Sequence, residues 1–204
     1  MRVILINGSP RVNGCTYTGL NIIKEQLKKN DIEATIYNLG NQAIQGCIGC
    51  GKCKEIKRCI FNDLVNVVAQ DLENAEGLII GSPVYFSSAS GSIISFLDRL
   101  FYSIDRRKLK MKFGASIVSC RRGGATATFD QLNKYFTISE MPLVSSSYWN
   151  QIHGNNPQEV QEDLEGIRTL KVLANNMAYL IKCQKKADLP LPEELPLVHT
   201  NFIK

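Results

Sequence analysis

The chain has 204 residues, 44% of them hydrophobic and 21% charged, and carries a net charge of +5. At ~150 residues per domain this suggests one domain with a small elaboration, able to bury a core without disulfide staples. The composition excludes a disordered or collagen-like chain. No apolar run approaches the ~20 residues of a membrane span, and the charge excess is too mild for a nucleic-acid face. The opening MRVILINGSP passes from a short apolar run straight into turn residues, and reads as a first strand rather than an export signal. Four of the seven cysteines fall within 13 residues. In the reducing cytoplasmic setting expected here, such crowding points to metal or redox chemistry rather than to a disulfide framework.

Strand and helix patterns alternate along the chain. Residues 3–6 form an apolar, β-branched run, followed by a Gly-bearing loop at 8–16. Leu20, Ile23 and Leu27 then recur at helical spacing, up to about residues 30–31. Residues 34–39 read as a second strand, and the cysteine-bearing stretch 40–62 interrupts the rhythm. Leu64, Val67, Val68 and Leu72 mark the next helix. Residues 77–81 are a buried strand halted by Ser82 and Pro83. Ile93, Leu97, Leu100 and Phe101 mark a helix, and the charged run 105–112 reads as its solvated end and loop. Residues 113–120 give a fourth strand, 121–128 a loop, 129–136 a short helix and 143–147 a weak fifth strand. Residues 157–183 read as one long helix, with Asn156 as cap, Pro157 in its first position and Glu159 in the capping-box place. The organisation expected is a domain over 1–184, with the cysteine loop at 40–62, and an extended proline-bearing tail over 185–204. Buried strands alternating with helices imply an α/β fold: a parallel sheet covered on both faces, wound by right-handed crossovers.

Such sheets bind ligands beyond the carboxyl ends of their strands, and three loops there carry chemistry. In the first, residues 7–18, Gly8 and Gly14 admit close approach, Ser9, Thr16 and Thr18 offer hydroxyls, and Arg11 offers a fork of donors. A helix begins there too, so its free N–H groups point at the same spot. A phosphate suits this loop, which is neither a Walker loop nor a GxGxxG fingerprint; the plainer reading is a capped helix after a turn. In the second, residues 81–91, Tyr85 and Phe86 suit a flat heteroaromatic ring or, alternatively, the core. In the third, residues 119–128, Gly123 and Gly124 expose backbone, Arg121 or Arg122 could face an anion, and Cys120 reads as a small buried hydrophobe.

The motifs GSPR..G.T.T and GSPVYF....G....FLDR resemble those of the flavodoxin-like, NAD(P)H-dependent FMN reductases, along nearly the whole chain. That resemblance implies a flavodoxin-like fold with a five-stranded sheet in the order 2-1-3-4-5. It implies FMN, its phosphate held by Ser9, Arg11, Gly14, Cys15 and Thr16, with Cys15 standing where many relatives have Asn or Ser. Pro83, Val84, Tyr85, Phe86 and Ser87 would hold the ring and ribityl chain, and Ser119, Arg121, Gly123 and Gly124 would come from the third loop. Asp98 and Arg99 match the family's architectural pair. The family's members are dimers or tetramers. The chemistry belongs to the flavin, so no catalytic side chain is expected. NAD(P)H would be the co-substrate, and a quinone, a nitro or azo compound, or free flavin the small acceptor.

The spacing Cys47-x2-Cys50-x2-Cys53-x5-Cys59 lets three thiolates converge on one centre, with a fourth close by to complete a cubane. Zinc also takes four thiolates, though usually as two separated pairs, and a metal-free thiol loop is the third reading. The pattern is similar to that of iron–sulfur flavoproteins, a branch of the same superfamily, and this implies a [4Fe-4S] cluster on those four residues. Lys52, Lys54, Lys57 and Arg58 could offset its charge. Ile60 stands where ferredoxins often have proline. A cluster after the second strand is expected beside the flavin loops. The alternative function is then an electron carrier that uses FMN and the cluster with a ferredoxin-like partner. Trp149, Asn150 and His153 are candidates for a substrate pocket; a buried Trp with a hydrogen-bonded His is the competing reading.

Overall fold

The computed structural model describes residues 1–196 and 198–202. Leu197, Ile203 and Lys204, part of the expected tail, lie outside the described residues. The strands are β1 (Arg2–Asn7), β2 (Glu33–Asn38), β3 (Gly77–Tyr85), β4 (Ser88–Ala89), β5 (Phe113–Cys120) and β6 (Gln151–His153). The helices are α1 (Cys15–Lys28), α2 (Cys53–Ile56), α3 (Leu64–Glu73), α4 (Gly91–Ser103), α5 (Ala125–Thr137), α6 (Pro157–Glu162) and α7 (Leu164–Ala187), with a short 3-10 turn at Arg106–Lys108. Five strands are parallel in the order β2-β1-β3-β5-β6, and β4 folds back antiparallel on β3. With that two-residue arm set aside, the order is the expected 2-1-3-4-5.

The central strands explain the architecture. Val3, Ile4, Leu5 and Ile6 are all fully buried, and every residue of β5 is buried. A strand apolar on both faces needs a helical layer on each. Side chains alternate across the sheet, so Ile4, Ile6, Leu78 and Ile80 pack against Val68, Leu72, Phe96 and Leu100 of α3 and α4. Val3, Leu5, Ile79 and Ile117 pack on Leu20, Ile23, Leu170 and Met177 of α1 and α7. The winding reverses between β1 and β3, which places a crevice beyond their carboxyl ends.

The structure corrects several expectations. Strand β3 does not stop at Ser82 and Pro83 but runs on to Tyr85, with Pro83 opposite Ser119. β1 ends opposite Gly81, so that edge of β3 is open and the missing N–H of Pro83 forfeits no ladder bond. The fifth strand is Gln151–His153, not 143–147. Gly114 N–H donates to Pro142 and Val144 N–H to Gly114, the chain then leaves the sheet, and Val118 N–H meets the Asn150 carbonyl where it returns. The long helix is two: Asp163 breaks it, and its carboxylate accepts from Gly166 N–H at 2.8 Å and from His153 N–H at 2.7 Å. Asn156 caps α6 by accepting from Glu159 N–H, and Glu159 reaches back to the N–H of Asn155 and the side-chain amide of Asn156, one residue displaced from a capping box. Helix α5 begins at Ala125 rather than at 129, and α7 runs past the expected boundary at 184 to Ala187. Asp98 accepts from the Tyr135 hydroxyl and Arg99 pairs with Asp63, so both residues have the architectural role expected of them. Among the described residues no helix is long and apolar enough to cross a membrane.

Candidate functional site

The loops after β1, β3, β5 and β6 close on one cavity of ≈ 180 Å³, whose lining includes Ser9, Arg11, Thr16, Tyr85, Ser119 and Arg121. The first loop is stiffened from within. Asn7 is fully buried; its side-chain oxygen accepts from Ser9 N–H (3.1 Å), and Ser9 Oγ accepts from Arg11 N–H (3.1 Å). Gly8 is obligatory, because a Cβ there would stand 2.7 Å from Ile93 Cβ and 2.9 Å from the Gly81 oxygen. Helix α1 is capped by Gly14 without a side-chain bond, so its first-turn amides and positive dipole end open on the loop.

Hydroxyl bonds tie the loops together. Thr16 Oγ1 and Ser119 Oγ are 2.7 Å apart and buried, while Ser90 caps α4 and donates to the Gly8 oxygen at 2.6 Å. The β3–β4 hairpin turns through Phe86 (φ 52°) and Ser87 (φ 59°), two non-glycine residues in the left-handed region. Each such residue costs roughly 1–2 kcal/mol, and Phe86 stands wholly in solvent at the tip. Gln131 of α5 braces the arm by accepting from Ser88 Oγ and Ala89 N–H, both at 2.9 Å. Gly124 (φ 89°) fits against Ser87 so closely that a Cβ would lie 2.8 Å from Ser87 Oγ. The strain and the bracing concentrate at one mouth, the pattern of a preorganised ligand site.

Of the expected flavin residues, Ser9, Arg11, Cys15, Thr16, Pro83, Val84, Tyr85, Ser119 and Arg121 line this cavity. Gly14, Phe86, Ser87, Gly123 and Gly124 are not among its lining residues: Gly14 packs on Arg11, Gly124 on Ser87 and Val84, Phe86 is fully exposed, and Gly123 has open space around it. Sequence reasoning missed Asn155, which joins the lining with Gly154; the Cys15 thiol reaches the Gly154 carbonyl at 3.5 Å. Burial pushes the Cys15 and Cys120 thiols up from their ordinary pKa. Trp149 and Asn150 line a different cleft with Phe129 and Asn133, while His153 is held on β6 by Asp163. The structure thus puts Trp149 and Asn150 in a cleft apart from the flavin-type cavity, while His153 stands opposite Cys120 and next to Gly154, both of which line that cavity.

Cys47, Cys50, Cys53 and Cys59 line one further cavity with Phe61, Arg99 and Tyr102. It does not lie beside the first site. Helix α4 starts at that mouth, and Arg99 to Ser103 lie nine to thirteen residues past Ser90, roughly 14–20 Å along the helix. Arg99, almost wholly buried, anchors the loop. It pairs with Asp63 through two bonds of 2.7 and 2.8 Å, donates to the Gln45 carbonyl at 3.2 Å and to Cys59 Sγ at 3.3 Å, and covers the Phe61 ring. The sulfurs share the cavity, yet among the described residues no three metal-ligating side chains stand in coordinating positions, and the enclosed space is ≈ 20 Å³. Gly49 (φ 64°) and Gly51 (φ 70°) separate the cysteines with nothing packed on them. The donor set therefore fits a thiolate-bound cluster in kind, four cysteines on one cavity, while the sulfurs do not stand in its coordinating arrangement.

This fold and mouth define an α/β flavoprotein of the flavodoxin-like class. The chain belongs to the NADPH-dependent FMN reductase family, whose profile matches residues 1–156. It is 30% identical over 193 residues to an iron-sulfur flavoprotein of Methanocaldococcus jannaschii, covering 91% of this chain and 100% of that one. Among solved structures it is similar to RosB with a bound flavin-derived intermediate (TM-score 0.72, 10% identity, 100% of this chain and 92% of that one). It is also similar to an archaeal flavodoxin (TM-score 0.58, 16% identity, 89% and 99%). At such identities the two structures support the fold.

Proposed function

We infer that the chain holds FMN in the ≈ 180 Å³ cavity and works as an oxidoreductase with a second redox centre, a [4Fe-4S] cluster on Cys47, Cys50, Cys53 and Cys59. The observation that carries the reading is the start of α1, which no side chain caps, beside Ser9, Arg11 and Thr16. A phosphate there meets open amides, a guanidinium and hydroxyls together, each charge-assisted bond contributing about 1.5–3 kcal/mol. Pro83, Val84 and Tyr85 then flank the ring. Bound FMN would supply hydride and single-electron chemistry, while the protein orients it. The Thr16–Ser119 bond locks two walls of the cavity, and no side chain is assigned a proton-transfer role. The cluster is supported by the four cysteines on one cavity and by the iron–sulfur relatives. The family's description supports NADPH as donor, with a quinone, a nitro or azo compound, or free flavin as acceptor. The second reading, a carrier reduced by a ferredoxin-like protein, is favoured by the distance of the cysteine cavity from the flavin mouth. We further place the protein in the cytoplasm, as a homodimer or homotetramer, with 1–184 as the flavin domain and an extended tail after it.

Titration of flavin fluorescence tests the cradle. Arg11→Ala should weaken FMN about 10-fold or more and leave riboflavin, which lacks the phosphate, unchanged. Equal loss for both flavins would place the phosphate elsewhere. Steady NADPH oxidation with a quinone supports the reductase; reduction by ferredoxin with NADPH ignored supports the carrier.

A further inference from the structure

Among the described residues, Arg99 of α4 is the one charged residue in the buried interior. A buried ion pair contributes little net stability over apolar side chains of the same size, so its place calls for another reason. Its donors divide between two directions. Nη1 and Nη2 donate to Asp63 at 2.7 and 2.8 Å, and Nη1 also reaches the Gln45 carbonyl at 3.2 Å. Nε is given instead to Cys59 Sγ, at 3.3 Å. The Phe61 ring covers the guanidinium, its centre 4.8 Å from the guanidinium carbon.

Cys59 is the fixed member of the four cysteines. Asn66 brackets its backbone, accepting from Cys59 N–H and donating to the Cys59 carbonyl, both at 3.0 Å, and donating to the Phe61 carbonyl at 2.8 Å. Cys47 and Cys50 are exposed, beside Gly49 and Gly51, on which nothing packs. The Cys53 thiol reaches the Tyr102 carbonyl at 3.8 Å. Among the described residues, Cys59 is thus the one of the four whose sulfur accepts a hydrogen bond from a cation. The loop's other cations, Lys52, Lys54, Lys57 and Arg58, are exposed, where water and salt screen them.

We propose that Arg99 is a positioning residue that acts through Cys59 to raise the reduction potential of the centre the four cysteines hold. The inference rests on reading those cysteines as ligands of a cluster. One-electron reduction adds one negative charge around the four sulfurs and makes or breaks no bond; the electron comes from the flavin in the protein and from dithionite in the assay. A donor and a positive charge at a ligand sulfur stabilise the reduced form more than the oxidised one, and hydrogen bonds to the sulfurs are among the features that set such potentials. Asp63 offsets the cation only in part. Its carboxylate binds Nη1 and Nη2, across the guanidinium from the sulfur at Nε. Its side chain is also 42% exposed against 1% for Arg99, so solvent weakens the carboxylate's field and not the cation's.

The experiment titrates the anaerobically purified full chain with dithionite and redox mediators. Electron paramagnetic resonance reads the cluster midpoint, absorbance reads the flavin midpoint, and iron and sulfide are assayed on the same sample. Arg99→Met should lower the cluster midpoint, changing the oxidised-to-reduced ratio at fixed potential by about 10-fold or more, which is about 59 mV for one electron. Asp63→Asn leaves the cation in place without its counter-charge, so it should shift the midpoint upward, by less. Arg99→Lys keeps the charge and loses the fork, and should fall between the parent and Arg99→Met. Lys54→Met, on an exposed position of α2, should change the ratio less than about 3-fold. The flavin midpoint should stay where it is in all four. Thermal melting verifies folding, and if Arg99→Met does not fold, the opposite shifts of Arg99→Lys and Asp63→Asn carry the test. Shifts of one sign on both sides of the ion pair, or an iron-loaded Arg99 variant with the parent's midpoint, overturn the proposal and leave the cluster standing. An iron-free parent overturns the cluster reading and the proposal with it.

Discussion

Replacing Asp63 by Asn leaves a buried cation without its counter-charge. The Arg99 side chain is 1% exposed and that of Asp63 is 42% exposed, so the two ends of this pair are not equivalent. Removing one partner of a buried pair costs about 3–5 kcal/mol. The side-chain amide introduced by Asp63→Asn can still accept one bond from the guanidinium. It can also still cap α3, as Asp63 does through Val65 N–H at 3.1 Å, which brings the expected loss to about 2–4 kcal/mol. Asp63→Ala also removes the cap and should lose about 1 kcal/mol more. Arg99→Met leaves only Asp63 behind, which solvent can reach, so it should cost less than Asp63→Asn. At about 2–4 °C per kcal/mol for a chain of this size, Asp63→Asn should lower Tm by about 4–16 °C. Urea unfolding of both single variants and the double gives the coupling, expected at about 2 kcal/mol. A Tm within about 1 °C of the parent for Asp63→Asn, or additive losses in the double variant, would refute the reasoning.

Gly124→Ala places a Cβ 2.8 Å from Ser87 Oγ in a left-handed backbone; it should weaken FMN and riboflavin alike by about 10-fold or more, measured by the same fluorescence titration, in contrast to the phosphate-specific Arg11→Ala. Glu76 accepts from Arg2 N–H and pairs with Lys185 at 3.0 Å. Burial alone would raise its pKa, but the Arg2 amide, Lys185 and the terminal amine hold it below its ordinary 4.5. A depressed carboxyl contributes stability that is fully present above the unfolded value and is lost as pH falls through the folded one. Tm of the parent should therefore fall faster than that of Glu76→Gln below about pH 4.5, the two curves converging in acid; parallel curves would show that the pair contributes nothing.

The parts of the fold that were legible in the sequence are those in which one local signal decides. Residues 3–6 are apolar throughout, and 113–118 apart from Ser116, because both faces of β1 and β5 are covered, and the Gly, Ser and Arg loops had to be where strands end. What was not legible depends on distant partners. The break at Asp163 exists because its carboxylate captures the amides of His153 and Gly166. The final strand contributes three residues and a single buried apolar side chain, Ile152, too little for a period to show, while Leu143 and Val144 offered a more obvious run. The architectural role of Arg99 was legible, but its partner Asp63, 36 residues away, was not. Cysteine spacing pointed to one shared site, but only the path of α4 shows where the cavity lined by the four cysteines sits.

The most direct measurement is the absorption spectrum of protein purified without oxygen, with flavin, iron and sulfide assayed on the same sample. The account predicts FMN near one per chain beneath a broad brown band, with iron and sulfide that Cys47→Ser, Cys50→Ser and Cys53→Ser each diminish. A yellow, iron-free sample would contradict the cluster and leave the flavin reductase standing. A colourless sample that takes up no added FMN would contradict the central claim.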